Sequence, residues 1–220
     1  MQGTKRTRCN REELKNKIVE TAMSAFSQSG IRNVHMDDIA TSLSISKRTL
    51  YEIFHDKECL LLEGVRWQRA QMKAYMTGVA RESDDVLAVL FAFYQRKLSE
   101  LCELNPLFLR DLRKYPGVVE YMHEERKSMD DVACQYFKKG VEQGIFRADI
   151  NFGIINEAMR LQFDMLIYSD ITENYPLSDI YKELTTLHLR GITTQEGYER
   201  IDAFLRNMQK NQGDGPLPSA

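Results

Sequence analysis

An all-α fold is predicted from three observations. Apolar residues recur at three- and four-residue spacing along most of the chain, and no stretch sustains the two-residue alternation of a strand. Five prolines and twelve glycines in 220 residues leave long segments free of helix breakers. An apolar share of 43% is enough to build a core, and a charged share of 28% is ordinary for a folded chain in water.

The elements follow in order. Leu14, Ile18, Ala22 and Phe26 lie on one helical face, and Gly30 stops that helix as a left-handed C-terminal residue does. A short helix is predicted over Asp37–Leu43, its two leading carboxylates complementing the helix dipole. Ser44-Ile45-Ser46 forms a turn, and Ser46 caps the next helix, Lys47–Phe54. Asp56 caps a longer helix from Lys57 to about Arg81. Beyond Ser83-Asp84 a helix runs to Leu104 and ends before Pro106, because the residue preceding proline avoids the helical region. Further helices are expected over Leu107–Lys114, over Val118–Gln143 as one long rod ending at Gly144, and over Asn151–Ile171, Leu177–Arg190 and Gln195–Lys210. The Gly/Pro/Ser-rich tail, 212–220, is expected to be disordered.

Charge is unevenly placed. The net charge is −2, yet residues 1–17 carry Lys5, Arg6, Arg8, Arg11, Lys15 and Lys17 against Glu12 and Glu13, so the first segment is +4 and the rest −6. A basic arm on an acidic body is a footprint of nucleic-acid contact, although a solvated charged tail reads the same on charge alone. No apolar run approaches the roughly 20 residues of a membrane span. The N-terminus has no signal-peptide stretch, so a cytoplasmic protein without a membrane partner is expected. Cys9, Cys59, Cys102 and Cys134 show neither CxxC nor zinc spacing and read as free thiols, with Cys102 and Cys134 packed as small hydrophobes. Gly-rich phosphate loops, nucleophile elbows and metal-ligand clusters are absent from the sequence, so catalytic residues, metals and cofactors are not expected. A helical enzyme or an adaptor without DNA contact remains the alternative class.

The informative stretch is Gly30–Leu61. Two short helices joined by a tight turn, the second opening with Lys47-Arg48-Thr49, are what a helix-turn-helix requires. Ile39, Ala40, Leu43, Ile45, Leu50 and Phe54 can close its small core. Lys47, Arg48, Thr49 and Tyr51 are then left to project outward, where side chains meet base edges and phosphates.

Gly30, Ile31, Val34, Ile39, Ala40, Leu50, Tyr51, Phe54, Lys57 and Leu60 together carry a resemblance to the TetR family of bacterial regulators, over about residues 11–62. The resemblance implies a three-helix DNA-binding domain at 1–55 and a helical ligand-sensing and dimerisation domain at 56–211. It gives Lys47, Arg48 and Thr49, following the cap Ser46, to the major groove. Tyr51 and Lys57 go to the phosphate backbone, and His35 stands near a phosphate. Three positions depart from the family: His35 is usually Thr or Ser, Ser44 is usually Gly, and Arg48 is often small. The resemblance further implies a homodimer in which two helices per subunit pack as an antiparallel four-helix bundle, a palindromic operator on double-stranded DNA, and repression relieved by a small-molecule effector. Asn151–Ile171, apolar on more than one face, and Leu177–Arg190 are the helices expected to form the bundle. Lys5, Arg6 and Arg8 would form a flexible arm on the DNA.

Aromatic and methionine residues of the body suit either a core or an apolar ligand cavity. Phe91, Tyr94, Phe108, Tyr121, Phe137 and Met165 are the candidate lining residues. His123 stands in a sequence that is not HExxH and reads as a surface residue, while His188 reads as a satisfied core residue.

Overall fold

Ile18, Val19, Ala22, Met23 and Phe26 are all buried, and this stripe at helical spacing fixes the first helix against its neighbours. The computed structural model describes residues 3–213, with side chains for residues 11–208. Helix α1 spans Gly3–Ser29. It ends at Gly30, whose φ of +82° is open to glycine and strained for other residues. Two short helices follow, α2 at Met36–Ser42 and α3 at Lys47–Ile53, and the long α4 covers Lys57–Glu82. The backbone of residues 3–10 continues α1, so Lys5, Arg6 and Arg8 stand on the helix and not on a flexible arm ahead of it. After Gly3 no proline or glycine interrupts that segment, and it joins the amphipathic run directly. Their side chains lie outside the described residues.

The body is built from α5 (Val86–Glu103), α6 (Pro106–Leu112), α7 (Pro116–Ser128), α8 (Asp130–Glu142), α9 (Phe152–Tyr168), the single turn α10 (Ile171–Asn174), α11 (Leu177–Ile192) and α12 (Gln195–Gly213). Two expected helices are subdivided. The rod expected over Val118–Gln143 breaks at Met129, whose N–H turns back to Arg126 O at 3.2 Å while Ser128 Oγ donates to Glu125 O. Asp130 and Asp131 then open α8 favourably for its dipole. The helix expected to reach Ile171 stops at Tyr168, where Ser169 takes an extended conformation, and α10 restarts after it. At the C-terminus α12 runs through Gln212 and Gly213, two residues into the expected tail, and residues 214–220 lie outside the described residues. Cys102 and Cys134 are exposed and free, not packed. They lie on the outer faces of α5 and α8, turned away from both cores.

One continuous core joins the N-terminal helices to the body. Ile18, Phe26, Ile31, Leu50 and Leu60 share it with Leu112 of α6, Val118 of α7 and Ile167 of α9. A second cluster, around Leu87, Ile145, Phe146, Ile192 and Ile201, closes the far end. There Phe146 and Thr193 form an isolated antiparallel bridge, the sole extended pairing among the described residues. Gly140 lies so close to Phe146 that a Cβ would stand 2.1 Å from its ring.

Candidate nucleic-acid interface

The helix-turn-helix is organised by its backbone before any side chain is considered. Ile45 N donates to Ala40 O and Ser44 N to Thr41 O, both at 3.0 Å, which folds the chain sharply after α2. That turn needs a left-handed residue, and Ser44 supplies it with φ +54°. Serine there is strained by about 1–2 kcal/mol where glycine is not, so the departure at this position bends the turn as usual at an energetic cost. Ile39, Ala40, Leu50 and Phe54 are buried beneath it, with Leu43 and Ile45 partly so.

Ser46 begins α3 as its N-cap. Its Oγ accepts from Thr49 N at 3.0 Å and stands 2.8 Å from Thr49 Oγ1. The cap thus satisfies a backbone donor of the first turn and holds the Thr49 hydroxyl. Burial of Leu50 turns the opposite side of α3 outward. Arg48 has 88% and Lys47 66% of its side chain exposed, and Tyr51 is 48% exposed.

Both outward cations are held by carboxylates. Lys47 Nζ lies 2.5 Å from Asp37 Oδ2 across the turn, and Arg48 Nε lies 2.8 Å from Glu52 Oε1 one helical turn on. Hydrogen bonding to Asp37 raises the Lys47 ammonium above its ordinary range, and Glu52 does the same for Arg48. These pairs are solvated and worth little to stability, but they fix where the charges stand. Arg48 with Glu52 is readable as an (i, i+4) pair. Asp37 with Lys47 is a contact that only the turn creates.

His35 occupies the N-cap position of α2, where its N–H donates to Asp38 Oδ2 at 2.8 Å and its imidazole makes no cap bond. The Asp38 carboxylate therefore covers this N-terminus. Lys57 points inward: its Nζ donates to Ile31 O at 2.8 Å. Burial lowers its pKa, with the Asp111 and Asp38 carboxylates acting the other way. Asp56 caps α4 through Cys59 N at 2.7 Å, and that hydrogen bond holds its carboxyl below the usual range.

Residues that sequence reasoning passed over tie this unit to the body. Asp111 of α6 is buried and accepts from Arg32 N at 2.8 Å. Asn105 N and Nδ2 donate to Ser27 O and Gln28 O at the end of α1, at 2.8 and 3.0 Å. Their partners lie more than seventy residues away in sequence, so local pattern carried no signal for them. Arg11 of α1 reaches the Glu52 carbonyl of α3 at 3.4 Å.

The six aromatic and methionine candidates are dispersed. Phe108 belongs to the main core and Tyr121 packs on it, while Phe91 and Phe137 pack on the far cluster. Phe91 stacks on Phe204 at 3.8 Å and Phe137 on Phe152 at 4.6 Å. Met165 is half-buried on α9. Tyr94 lines a cleft of about 190 Å³ among α5, α11 and α12, and the other five do not. A second cleft, of about 530 Å³, lies between α1 and α4 beside Met23 and Trp67. His188 is half-buried with Nδ1 2.7 Å from Leu184 O, and His123 pairs with Asp164 at 2.7 Å. Among the described residues no group of three or more His, Cys, Asp or Glu could hold a metal, and no helix is long and apolar enough to cross a membrane.

Comparison with known proteins places this geometry. No curated protein matches the sequence. Solved structures match its fold. A TetR-family transcriptional regulator from Marinobacter aquaeolei VT8 aligns over 88% of this chain and 97% of its own, with 19% identity and a TM-score of 0.66. A TetR-family regulator from Cytophaga hutchinsonii aligns over 84% and 98%, with 17% identity and a TM-score of 0.62. A gamma-butyrolactone receptor aligns over 92% and 99%, with 16% identity and a TM-score of 0.64. Residues 18–63, the segment that holds α2, α3 and the start of α4, match the model of the bacterial regulatory proteins, tetR family.

Proposed function

We propose that the protein is a non-enzymatic, cytoplasmic repressor that binds a palindromic operator as a homodimer and leaves it when a small molecule binds the body. The observation that carries this reading is α3 itself: capped at Ser46, seated on Leu50, and exposing Lys47, Arg48 and Tyr51 in one outward patch. In the proposed complex α3 enters the major groove, where Arg48 exchanges Glu52 for guanine O6 and N7 and Lys47 exchanges Asp37 for a base edge or phosphate. Thr49 supplies its methyl group to the groove. Tyr51 donates its hydroxyl to a phosphate. Lys57 spends one of three ammonium donors on Ile31 O, leaving two for the backbone phosphate expected beside α4. His35 would meet a phosphate through its imidazole alone, since Asp38 covers the helix N-terminus. The basic residues Lys5, Arg6 and Arg8, carried on α1, would add salt-dependent affinity without base preference.

Dimerisation is supported by an exposed apolar stripe. Ile154, Leu161 and Tyr168 lie seven residues apart along α9, and Leu187 of α11 is 69% exposed. Large apolar groups at this spacing suit a helical bundle with a second copy. Two-fold symmetry then sets half-sites about 34–36 Å apart or at a multiple of that distance. Effector binding reaches α3 through α4, which spans 26 residues, about 39 Å at 1.5 Å per residue. A coupling of about 1–3 kcal/mol between the two sites is sufficient. A mobility-shift assay on the DNA upstream of the chain's own gene tests the reading. A discrete dimer complex resisting competitor DNA is expected, and no binding at micromolar concentration would overturn it.

A further inference from the structure

The middle of the body holds three cations, of which only Lys97 has a carboxylate partner among the described residues. Arg69 stands on α4, Lys97 on α5 and Arg126 on α7, and α4 packs against both of the other helices. The Arg126 guanidinium carbon lies 3.6 Å from the centroid of the Phe163 ring on α9. One face of that guanidinium is therefore covered by an aromatic wall, while its Nε is buried without a hydrogen-bond partner. Arg69 likewise has neither an ion pair nor a side-chain hydrogen bond among the described residues.

The carboxylates nearby are committed elsewhere or act from a distance. Glu100 pairs with Lys97 and Arg96 at 3.2 and 3.1 Å, and Asp164 with His123 at 2.7 Å. Glu125 supports Arg69 electrostatically without touching it. Burial first, then repulsion from Arg69, lowers Arg126 to about 10. Burial lowers Arg69 too, and Lys97 falls through burial and the two arginines, with Glu100 opposing. Like charges gathered under an aromatic surface are unfavourable unless an anion joins them.

We propose that Arg69 and Arg126 form the head-group site for an effector bearing one carboxylate on an apolar body, with Lys97 as the adjoining cation. The planar fork of arginine matches a carboxylate with two parallel hydrogen bonds. A single negative charge fits best, because Glu125 and Asp164 would repel a more highly charged head group. Phe163, and the Tyr121 ring under Arg66 at 5.1 Å, give the apolar body its surroundings. Arg69 sits twelve residues after Lys57 on the same helix, so drawing it toward Arg126 acts on the helix that adjoins α3. This inference rests on the reading of the body as a small-molecule sensor.

The test uses the full chain, with decanoate and phenylacetate as acids, decanol as the uncharged counterpart, and inorganic phosphate as the bare anion. Calorimetric titration and thermal unfolding are measured for wild type, Arg126→Met and Arg69→Met, with the amphiphiles below their micelle concentrations. At least one acid is expected to bind and raise Tm with concentration, decanol and phosphate at least tenfold more weakly. Each variant should lose at least tenfold in affinity for that acid. Arg126→Met should unfold no earlier than wild type without ligand, because it removes an unpaired buried cation; if it fails to fold, Arg69→Met carries the same test. Binding of neither acid, decanol binding as tightly as decanoate, or full affinity in the variants would each overturn the site. A parallel mobility shift without ligand separates the two readings. A chain that binds DNA and ignores both acids loses only this site, whereas one that binds an acid but never DNA loses the repressor reading and keeps the site.

Discussion

Substituting Gly30 with alanine probes the joint between the helix-turn-helix and the body. Gly30 has φ +82°, and a Cβ there would stand 2.8 Å from Leu107 Cβ and 3.1 Å from Asp111 Oδ2 on α6. Gly144 has a similar φ of +74°, yet a Cβ there meets nothing within 4 Å. Both alanines incur the left-handed penalty, about 1–2 kcal/mol. Both recover a few tenths to about 1 kcal/mol from a stiffer unfolded chain. Gly30→Ala alone meets packed backbone-proximal atoms, and such overpacking costs about 1–3 kcal/mol. It should therefore exceed Gly144→Ala in destabilisation by about 1–3 kcal/mol, or a Tm lower by roughly 2–4 °C for each kcal/mol at this length. Urea unfolding at equal chain concentration measures the difference, since the stability of an associating chain depends on concentration. Equal losses within about 0.5 kcal/mol would refute the argument that α6 is seated tightly on the end of α1.

Three further outcomes are expected. Ser44→Gly relieves the left-handed strain at φ +54°. Less the entropy of glycine, this should raise stability by about 0.5–1 kcal/mol, and an unchanged or lower urea midpoint would count against strain at the turn. Arg48→Ala should lose about 1–3 kcal/mol on the operator and almost nothing on scrambled DNA, while an equal loss on both would make Arg48 a phosphate contact. Leu161→Glu places a carboxylate on the exposed α9 stripe. Burying it unpaired in each of two copies costs several kcal/mol, about a hundredfold or more in dimer affinity. Light scattering should then report a folded monomer at micromolar concentration, and a persistent dimer would move the interface elsewhere.

Sequence alone determined what short-range physics controls. The all-α class, the stop at Gly30, the caps at Ser46 and Asp56, and the small core of Ile39, Ala40, Leu50 and Phe54 are contacts within a few residues or one helical period. They were legible together with the outward face of α3. The break at Met129 was not, because the periodicity of α7 continues into α8 and no proline or glycine marks it. Tertiary structure alone decided that Lys57 turns inward to Ile31, that Lys47 meets Asp37, and that Asp111 reaches Arg32. It also dispersed Phe91, Phe108 and Phe137 and set the Arg126 guanidinium of α7 over the Phe163 ring of α9, a pairing between residues 37 apart. A helix presents each side chain at an angle fixed by its position, but which helix faces it is set by burial summed over the whole chain, and that sum has no local signature.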